Sequence, residues 1–343
     1  MRTFLFALAL AFLSVSGIAG DAQPSSANAQ QSSAPSGQSN DQGKVPVFRK
    51  SVNVVTVLFT VKDKHGVMVP NLTQDHFEVL DEGKPQTIKY FSADTDQPLT
   101  LGLLIDSSKS MERTLPEEKV VAGSFLQKVL TEKDLAFVIS FDISVDLLQD
   151  LTNSNHLLRA GLDKARINTN LAGMGPGPIG NPGPVPTAQG QNKGTLLFDA
   201  AYLASSDVLS SQSGRKAVVI LTDGEDVGSK MKLKDAIEAA QRANVVSYVL
   251  LITDPMYVSN YGDMSKLAEQ TGGRVIQVRN PDKLDKAFSE IAAELRSQYS
   301  LGFTPTDEVA DGKFHKLEVK SKDGYKIQAR KGYYAPNGNE GNK

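Results

Sequence analysis

The chain has 343 residues, 40% of them hydrophobic, enough to bury one large domain with a smaller one, or two of comparable size. Its formal net charge of −2 leaves no basic surplus, which argues against nucleic acid or an anionic membrane surface as a partner. The absence of cysteine excludes disulfides, thiolate zinc sites, a cysteine nucleophile and the lipid-anchoring cysteine of a bacterial lipoprotein.

The first residues, MRTFLFALALAFLSVSGIAG, join a cationic start at Arg2 to an apolar run from Phe4 to Leu13 and small residues around Gly17 and Ala19. Residues 1–19 therefore read as a secretory signal peptide cut near Ala19. The run is shorter than the roughly 20 residues a spanning helix needs, so the mature chain is expected to be secreted or periplasmic, with no membrane span. Residues 20–44 are rich in Ser, Gln, Asn, Ala and Pro and poor in large apolar side chains, the composition of a disordered linker. Residues 45–96 alternate β-branched and aromatic residues with polar ones between turn signals KHG, PN and DEGK, which predicts strands over Val52 to Lys62, Phe77 to Leu80 and Gln86 to Ser92.

From Leu99 the rhythm changes. Short apolar runs at Thr100 to Ile105, Leu135 to Phe141, Val145 to Leu148, Ala217 to Leu221, Val245 to Ile252 and Arg274 to Val278 alternate with helical stretches. The helices are expected over Glu117 to Leu130, Asn155 to Ala165, Leu196 to Leu209, Leu233 to Ala243, Asp263 to Gln270 and Pro281 to Arg296. The fold class is α/β: a doubly wound, mostly parallel central sheet over 97–297 flanked by helices, with one antiparallel hairpin at Phe141 to Val145. Within it, 167–193 is a Gly/Pro-rich flexible loop. Residues 298–336 return to β alternation, with KDG read as a hairpin turn between Phe314 to Lys320 and Tyr325 to Arg330. These strands are expected to complete a smaller β-sandwich-like domain with residues 45–96, and 337–343 form a disordered tail.

In an open parallel sheet, ligands bind beyond the carboxyl ends of the strands, where connections leave in opposite directions. The stretch LTLGLLIDSSKS places Asp106, Ser108 and Ser110 at such an end, NKGTLLFDA opens a helix with Thr195, and AVVILTDGED ends a strand with Asp223. Five hard oxygen donors suit Mg²⁺ or Mn²⁺ and no soft metal. A helix N-terminus repels a cation, so the two carboxylates supply the attraction and the hydroxyls the geometry. With only two negative charges around it, the ion stays electrophilic enough to accept a partner's carboxylate.

Asp-x-Ser-x-Ser with Thr195 and Asp223 in this order resembles the metal-ion-dependent adhesion site of von Willebrand factor A domains. The flanks VPNLTQDHFEVLDEGKPQTIKYFS and LRSQYSLGFTP to RKGYYAP resemble the surroundings of secreted VWFA-related proteins of acidobacteria, which extends the likeness to residues 50–336. The resemblance implies metal-dependent protein binding without catalysis, the partner presenting an acidic side chain.

Other readings compete. Taken alone, DSSKS is equally a helix N-cap. A structural envelope or matrix protein with a vestigial site is the main alternative. A Mg-dependent phosphatase of the haloacid dehalogenase type needs a second Asp where this chain has Ser108, a serine hydrolase needs a G-x-S-x-G or comparable Ser–His arrangement that is not recognisable here, and a dinucleotide site needs a G-x-G-x-x-G turn after the first strand, where this chain has serines. Asp142 reads as a hairpin-turn residue, Thr222 as a partner of local backbone groups, and Glu225 and Asp226 as solvated loop acids. His65, His76, His156 and His315 fall in no metal-ligating spacing and are expected to be structural or exposed.

Overall fold

A computed structural model describes residues 54–93, 97–167, 194–252, 260–306 and 310–337. The expected signal peptide, the 20–44 linker, the 167–193 loop and the 337–343 tail lie outside these residues, apart from the first residue of each of the last two. Four strands come first: β1 (Val55–Lys62), β2 (Phe77–Asp81), β3 (Lys84–Gln86) and β4 (Ile88–Ser92). The α/β region follows as β5 (Leu99–Asp106), α1 (Leu115–Val129), β6 (Leu135–Phe141), β7 (Val145–Thr152), α2 (Asn155–Lys164), α3 (Leu197–Leu203), β8 (Arg215–Thr222), α4 (Leu233–Arg242), β9 (Val245–Ile252), α5 (Tyr261–Thr271), β10 (Val275–Val278) and α6 (Leu284–Arg296). The chain closes with β11 (Tyr299–Phe303), β12 (Phe314–Ser321), β13 (Lys326–Ala329) and β14 (Gly332–Tyr334).

The central sheet has the order β10-β9-β8-β5-β6-β7, parallel except for the antiparallel β6–β7 hairpin. Its inner strands are apolar on both faces because both are covered. Leu101, Leu103 and Ile105 of β5 pack with Phe125, Leu126, Leu158, Phe288 and Ile291 beneath α1, α2 and α6. Leu104 packs on the other face with residues such as Phe137, Leu197, Ala236, Met264 and Leu267 beneath α3, α4 and α5. The sheet turns direction at β5: the chain leaves to β6 on one side and later resumes at β8 on the other. That makes the carboxyl ends of β5 and β8 the switch point at which such folds bind ligands.

The strands flanking the α/β region pair across the length of the chain. One four-stranded sheet runs β13-β1-β11-β4 and the other β14-β12-β2-β3, with Val57, Phe59, Phe77, Val79, Tyr299, Leu301, Phe303 and Leu317 in a shared core. Two expectations change here. Gln86 to Ser92 is not one strand: β3 pairs with β2 while β4 pairs with β11, so the chain switches sheets at Thr87. The KDG segment is not a hairpin turn either. β12 pairs with β2 and β14 while β13 pairs with β1, so the turn carries the chain from one sheet to the other. Ser321 Oγ accepts from the Asp323 and Tyr325 N–H groups at 3.1 and 3.3 Å, a side-chain-closed turn that needs no ladder.

The sandwich meets the α/β region at the amino ends of the parallel strands. Arg330 is buried and donates to Gln241 O at 3.2 Å, Asn244 Oδ1 at 2.6 Å and Thr56 O at 2.8 Å, and buried Glu294 accepts from Lys62 at 2.8 Å and Arg274 at 2.6 Å. Gly272 ends α5 with φ 95°, and a Cβ on Gly273 would stand 2.0 Å from Ser247 O. Because that obstacle is backbone, Gly273→Ala is expected to destabilise the fold by about 3 kcal/mol. Gly262→Ala in the same helix, where a Cβ meets nothing within 4 Å, is expected to hold or raise stability. Urea midpoints of the two variants check the contrast. Among the described residues no helix is long and apolar enough to cross a membrane.

Candidate functional site

Asp106 is the last residue of β5 and is fully buried. Its Oδ1 accepts from the Ser108 N–H at 2.9 Å and its Oδ2 from the Thr222 hydroxyl at 2.7 Å. The first contact is the short-range turn expected where a strand runs into a helix; the second crosses to the end of β8. Ser108 and Ser110 lie in the loop between β5 and α1, their hydroxyl oxygens 3.0 Å apart. Ser107 is turned away, its N–H donating to Phe141 O at 2.9 Å and tying the loop to the end of β6. Thr222 thus does more than satisfy local backbone groups. It accepts from the Gly224 N–H at 3.0 Å while donating to Asp106, and so couples the two strand ends.

Thr195 is buried just before α3 and is placed by backbone ties on two sides. It exchanges both backbone hydrogen bonds with Val227, at 2.9 and 3.0 Å, and the next residue, Leu196, donates to Asp142 O at 2.8 Å. Asp142 is the turn residue expected, its Oδ1 accepting from the Ser144 N–H at 2.9 Å. Asp226 is not a solvated acid: its Oδ1 accepts from the Phe198 N–H at 3.1 Å and from Ser229 Oγ at 2.6 Å, satisfying an orphan donor at the start of α3. Asp199 returns the connection, accepting from the Met231 and Lys230 N–H groups at 2.7 and 3.1 Å. Glu225 is exposed, as expected. Asp223 is half-buried one residue beyond β8, its Oδ1 accepting from the Glu225 N–H at 3.1 Å. Three segments, 106–110, 194–199 and 222–231, are therefore fastened to one another at the switch point.

The electrostatics are those of crowded anions. Burial pushes the Asp106 carboxyl up to about 7, and the nearby Asp223 adds to the rise. A third acid joins them that the motif does not contain. Glu118, in the first turn of α1, is 1% exposed, and neither of its carboxyl oxygens has a hydrogen-bond partner. Burial pushes it up to about 8, with Asp106 and Asp223 both contributing. Its position was readable in principle, since Leu115, Glu118, Ala122, Phe125, Leu126 and Val129 form the buried face of α1 at helical spacing. An acid on that face needs a partner. Among the described residues no lysine or arginine is paired with these three carboxyls; Lys109 is engaged by Glu112 at 2.5 Å.

Buried acceptor oxygens without cationic partners among the described residues, with the Thr222 hydroxyl on Asp106 and the paired Ser108 and Ser110 hydroxyls in the adjoining loop, fit a hard divalent cation such as Mg²⁺ or Mn²⁺. The Asp81, Glu82 and His315 cluster is a different place, on β2, β12 and the turn after β2.

The sequence model of the von Willebrand factor type A domain matches residues 185–290, a span that contains Thr195 and Asp223 and begins after Asp106. No curated protein matches the chain significantly. Among solved structures, the von Willebrand factor type A protein from Catenulispora acidiphila is similar over 77% of this chain and 74% of its own, at 14% identity and a TM-score of 0.48. The conserved hypothetical protein BatB from Bacteroides thetaiotaomicron is similar over 57% of this chain and 97% of its own, at 17% identity and a TM-score of 0.45. Proximal thread matrix protein 1 from the mussel byssus, solved with a zinc-occupied MIDAS motif, is similar over 62% of this chain and 48% of its own, at 15% identity and a TM-score of 0.45. The family match and the sheet topology fall on the same region: residues 185–290 match the von Willebrand factor type A model and lie within a doubly wound, mostly parallel sheet flanked by helices.

Proposed function

We propose that the chain is an exported binding protein, akin to the secreted acidobacterial VWFA-related proteins, whose site at the ends of β5 and β8 holds Mg²⁺ or Mn²⁺ and grips an acidic side chain of a protein partner. The observation that carries the reading is the buried, unpaired Glu118 carboxyl beside Asp106 and Asp223. Asp106, Ser108, Ser110, Thr195 and Asp223 are the residues that would hold the ion. Ser108 and Ser110 offer paired hydroxyls whose lone pairs are not all consumed by each other, and Thr195 is positioned by its bridge to Val227 rather than by its side chain. Thr222 keeps the Asp106 carboxyl oriented by donating to the oxygen that Ser108 N–H does not use. A bound divalent cation supplies an electrophilic position for a carboxylate.

Calorimetric titration of Mg²⁺ and then Mn²⁺ into the chelator-treated protein tests the reading. Saturation at one equivalent is expected, and Asp223→Ala is expected to abolish it. Absence of saturable heat with both ions would favour a structural protein that keeps the fold without the use of the site.

A further inference from the structure

The sandwich carries a second set of ligating groups that shares no residue with the site at β5. Asp81 ends β2, Glu82 follows in the turn to β3 with φ 49°, and His315 stands on β12, two residues before the Leu317 that pairs with Asp81. One ligating atom from each lies within 4.8 Å of the others. The Asp81 side chain is 8% exposed. Tyr333 donates to its Oδ2 at 2.8 Å, but its buried Oδ1 accepts no hydrogen bond and faces His315 Nδ1 at 3.6 Å, beyond hydrogen-bond reach. A buried carboxylate oxygen without a donor is costly, and this one faces an imidazole nitrogen across a gap too wide for a direct hydrogen bond.

Each of the three groups is also held from behind. Tyr333 braces Asp81, and burial together with Asp81 pushes that phenol above its ordinary range, so it keeps the proton it donates. Glu82 Oε1 accepts from the Lys316 N–H at 2.5 Å. His315 Nε2 lies 3.6 Å from Asp311 Oδ1, a carboxylate on the opposite edge of the ring from Asp81. Outer partners of this kind fix the orientation and tautomer of metal ligands.

We propose that Asp81 Oδ1, the Glu82 carboxylate and His315 Nδ1 form a second metal site, for Zn²⁺, that pins the β2–β3 turn to β12. The imidazole selects a first-row transition ion over Mg²⁺ or Ca²⁺, which take oxygen ligands. Two ligands on a tetrahedral zinc ion stand about 3.4 Å apart, given bonds near 2.1 Å, and the Asp81 to His315 separation of 3.6 Å is already close to that. Glu82, exposed on its turn, is the arm that closes the remaining distance. Three protein ligands leave a fourth position for water.

The test is a calorimetric titration of Zn²⁺ alone into the full chain carrying Asp223→Ala, which removes competition from the β5 site. One equivalent is expected to bind, millimolar Mg²⁺ is expected not to compete, and the His315 ring resonances are expected to shift on saturation. His315→Phe keeps a ring against Tyr333 and removes both nitrogens; it is expected to abolish binding. Glu82→Gln keeps an acceptor for the Lys316 N–H and removes the charge; it is expected to weaken binding by more than the ~10-fold that loss of an outer partner costs. No saturable Zn²⁺ heat, or heat unchanged in Glu82→Gln and with His315 resonances unmoved, would overturn the site even if His315→Phe proved unstable.

Discussion

Asp106→Asn is expected to abolish divalent-cation binding and, at the same time, to make the metal-free protein more stable at pH 8. The two effects have opposite signs because the carboxylate is buried for a purpose other than packing. Asparagine preserves the volume, and its carbonyl still accepts from the Ser108 N–H that Asp106 now binds at 2.9 Å. The group lost is a charge held beside Glu118 and Asp223, in a place where burial has already pushed the Asp106 carboxyl up to about 7. Replacing a buried, uncompensated charge with a neutral isostere gains roughly 1–3 kcal/mol by analogy with other buried charges. Cation affinity should drop by more than the ~100-fold upper range for loss of an outer partner, since under the proposed function a direct ligand and half the motif's formal charge are removed. A urea midpoint at pH 8 in chelator and a Mg²⁺ titration measure the pair. If Asp106 were only a helix cap, the substitution would leave Mg²⁺ binding untouched and gain no stability.

Much of this architecture is legible in the residues because the α/β region obeys short-range rules. Leu135–Phe141 and Val245–Ile252 are apolar but for one serine each, and each forms the strand its pattern predicts, with the same bounds. The motif is legible for a similar reason: Asp106, Ser108 and Ser110 sit in one turn, and Asp223 follows a strand whose end is unmistakable. The sandwich is harder to read. Whether β12 and β13 face each other or separate depends on partners more than 200 residues away, Phe77 to Asp81 for one and Phe59 to Lys62 for the other. A turn such as KDG signals reversal of the chain but not the sheet in which the next strand lands.

The site's electrostatic support was missed for a different reason. Thr222 and Asp226 look like ordinary loop residues in sequence, and their roles exist only because β5 lies beside β8 and α3 begins beside the 223–231 loop. His315 shows the same limit, since its neighbours Asp81 and Glu82 come from the far end of the chain and no spacing rule connects them. Glu118 differs from these. Its place on the buried face of α1 follows from helical periodicity alone, and an unpaired acid in that position was a signal available from the start.

Glu118 also controls how stability depends on pH, and here the sign can be worked out. Burial holds Glu118 near 8 and Asp106 near 7, both above the ~4 of carboxyls in the unfolded chain. Between about pH 4 and pH 8 the native state therefore keeps protons that the unfolded chain has released, and stability falls as pH rises through that window. Below it both states are protonated and these two groups contribute no slope; above it both are ionised and the full penalty is present. The metal-free protein should lose at most about 5 kcal/mol across the window from Glu118 alone, an upper figure because the buried acids titrate together. Glu118→Gln keeps the shape, removes the ionisation and should take its share of the slope out of the whole window, leaving only the Asp106 share below about pH 7, so the variant is more stable than wild type at pH 8 and little changed at pH 5. Saturating Mg²⁺ should act in the same direction by favouring the ionised acids, so it stabilises the wild-type protein more at pH 8 than at pH 5 and its binding expels protons. Urea midpoints at the two pH values, in chelator and in Mg²⁺, together with binding heats in two buffers of different ionisation enthalpy, measure each part. A pH-independent midpoint in chelator would show that Glu118 is paired in the native protein, and the case for a cation beside it would lose its strongest support.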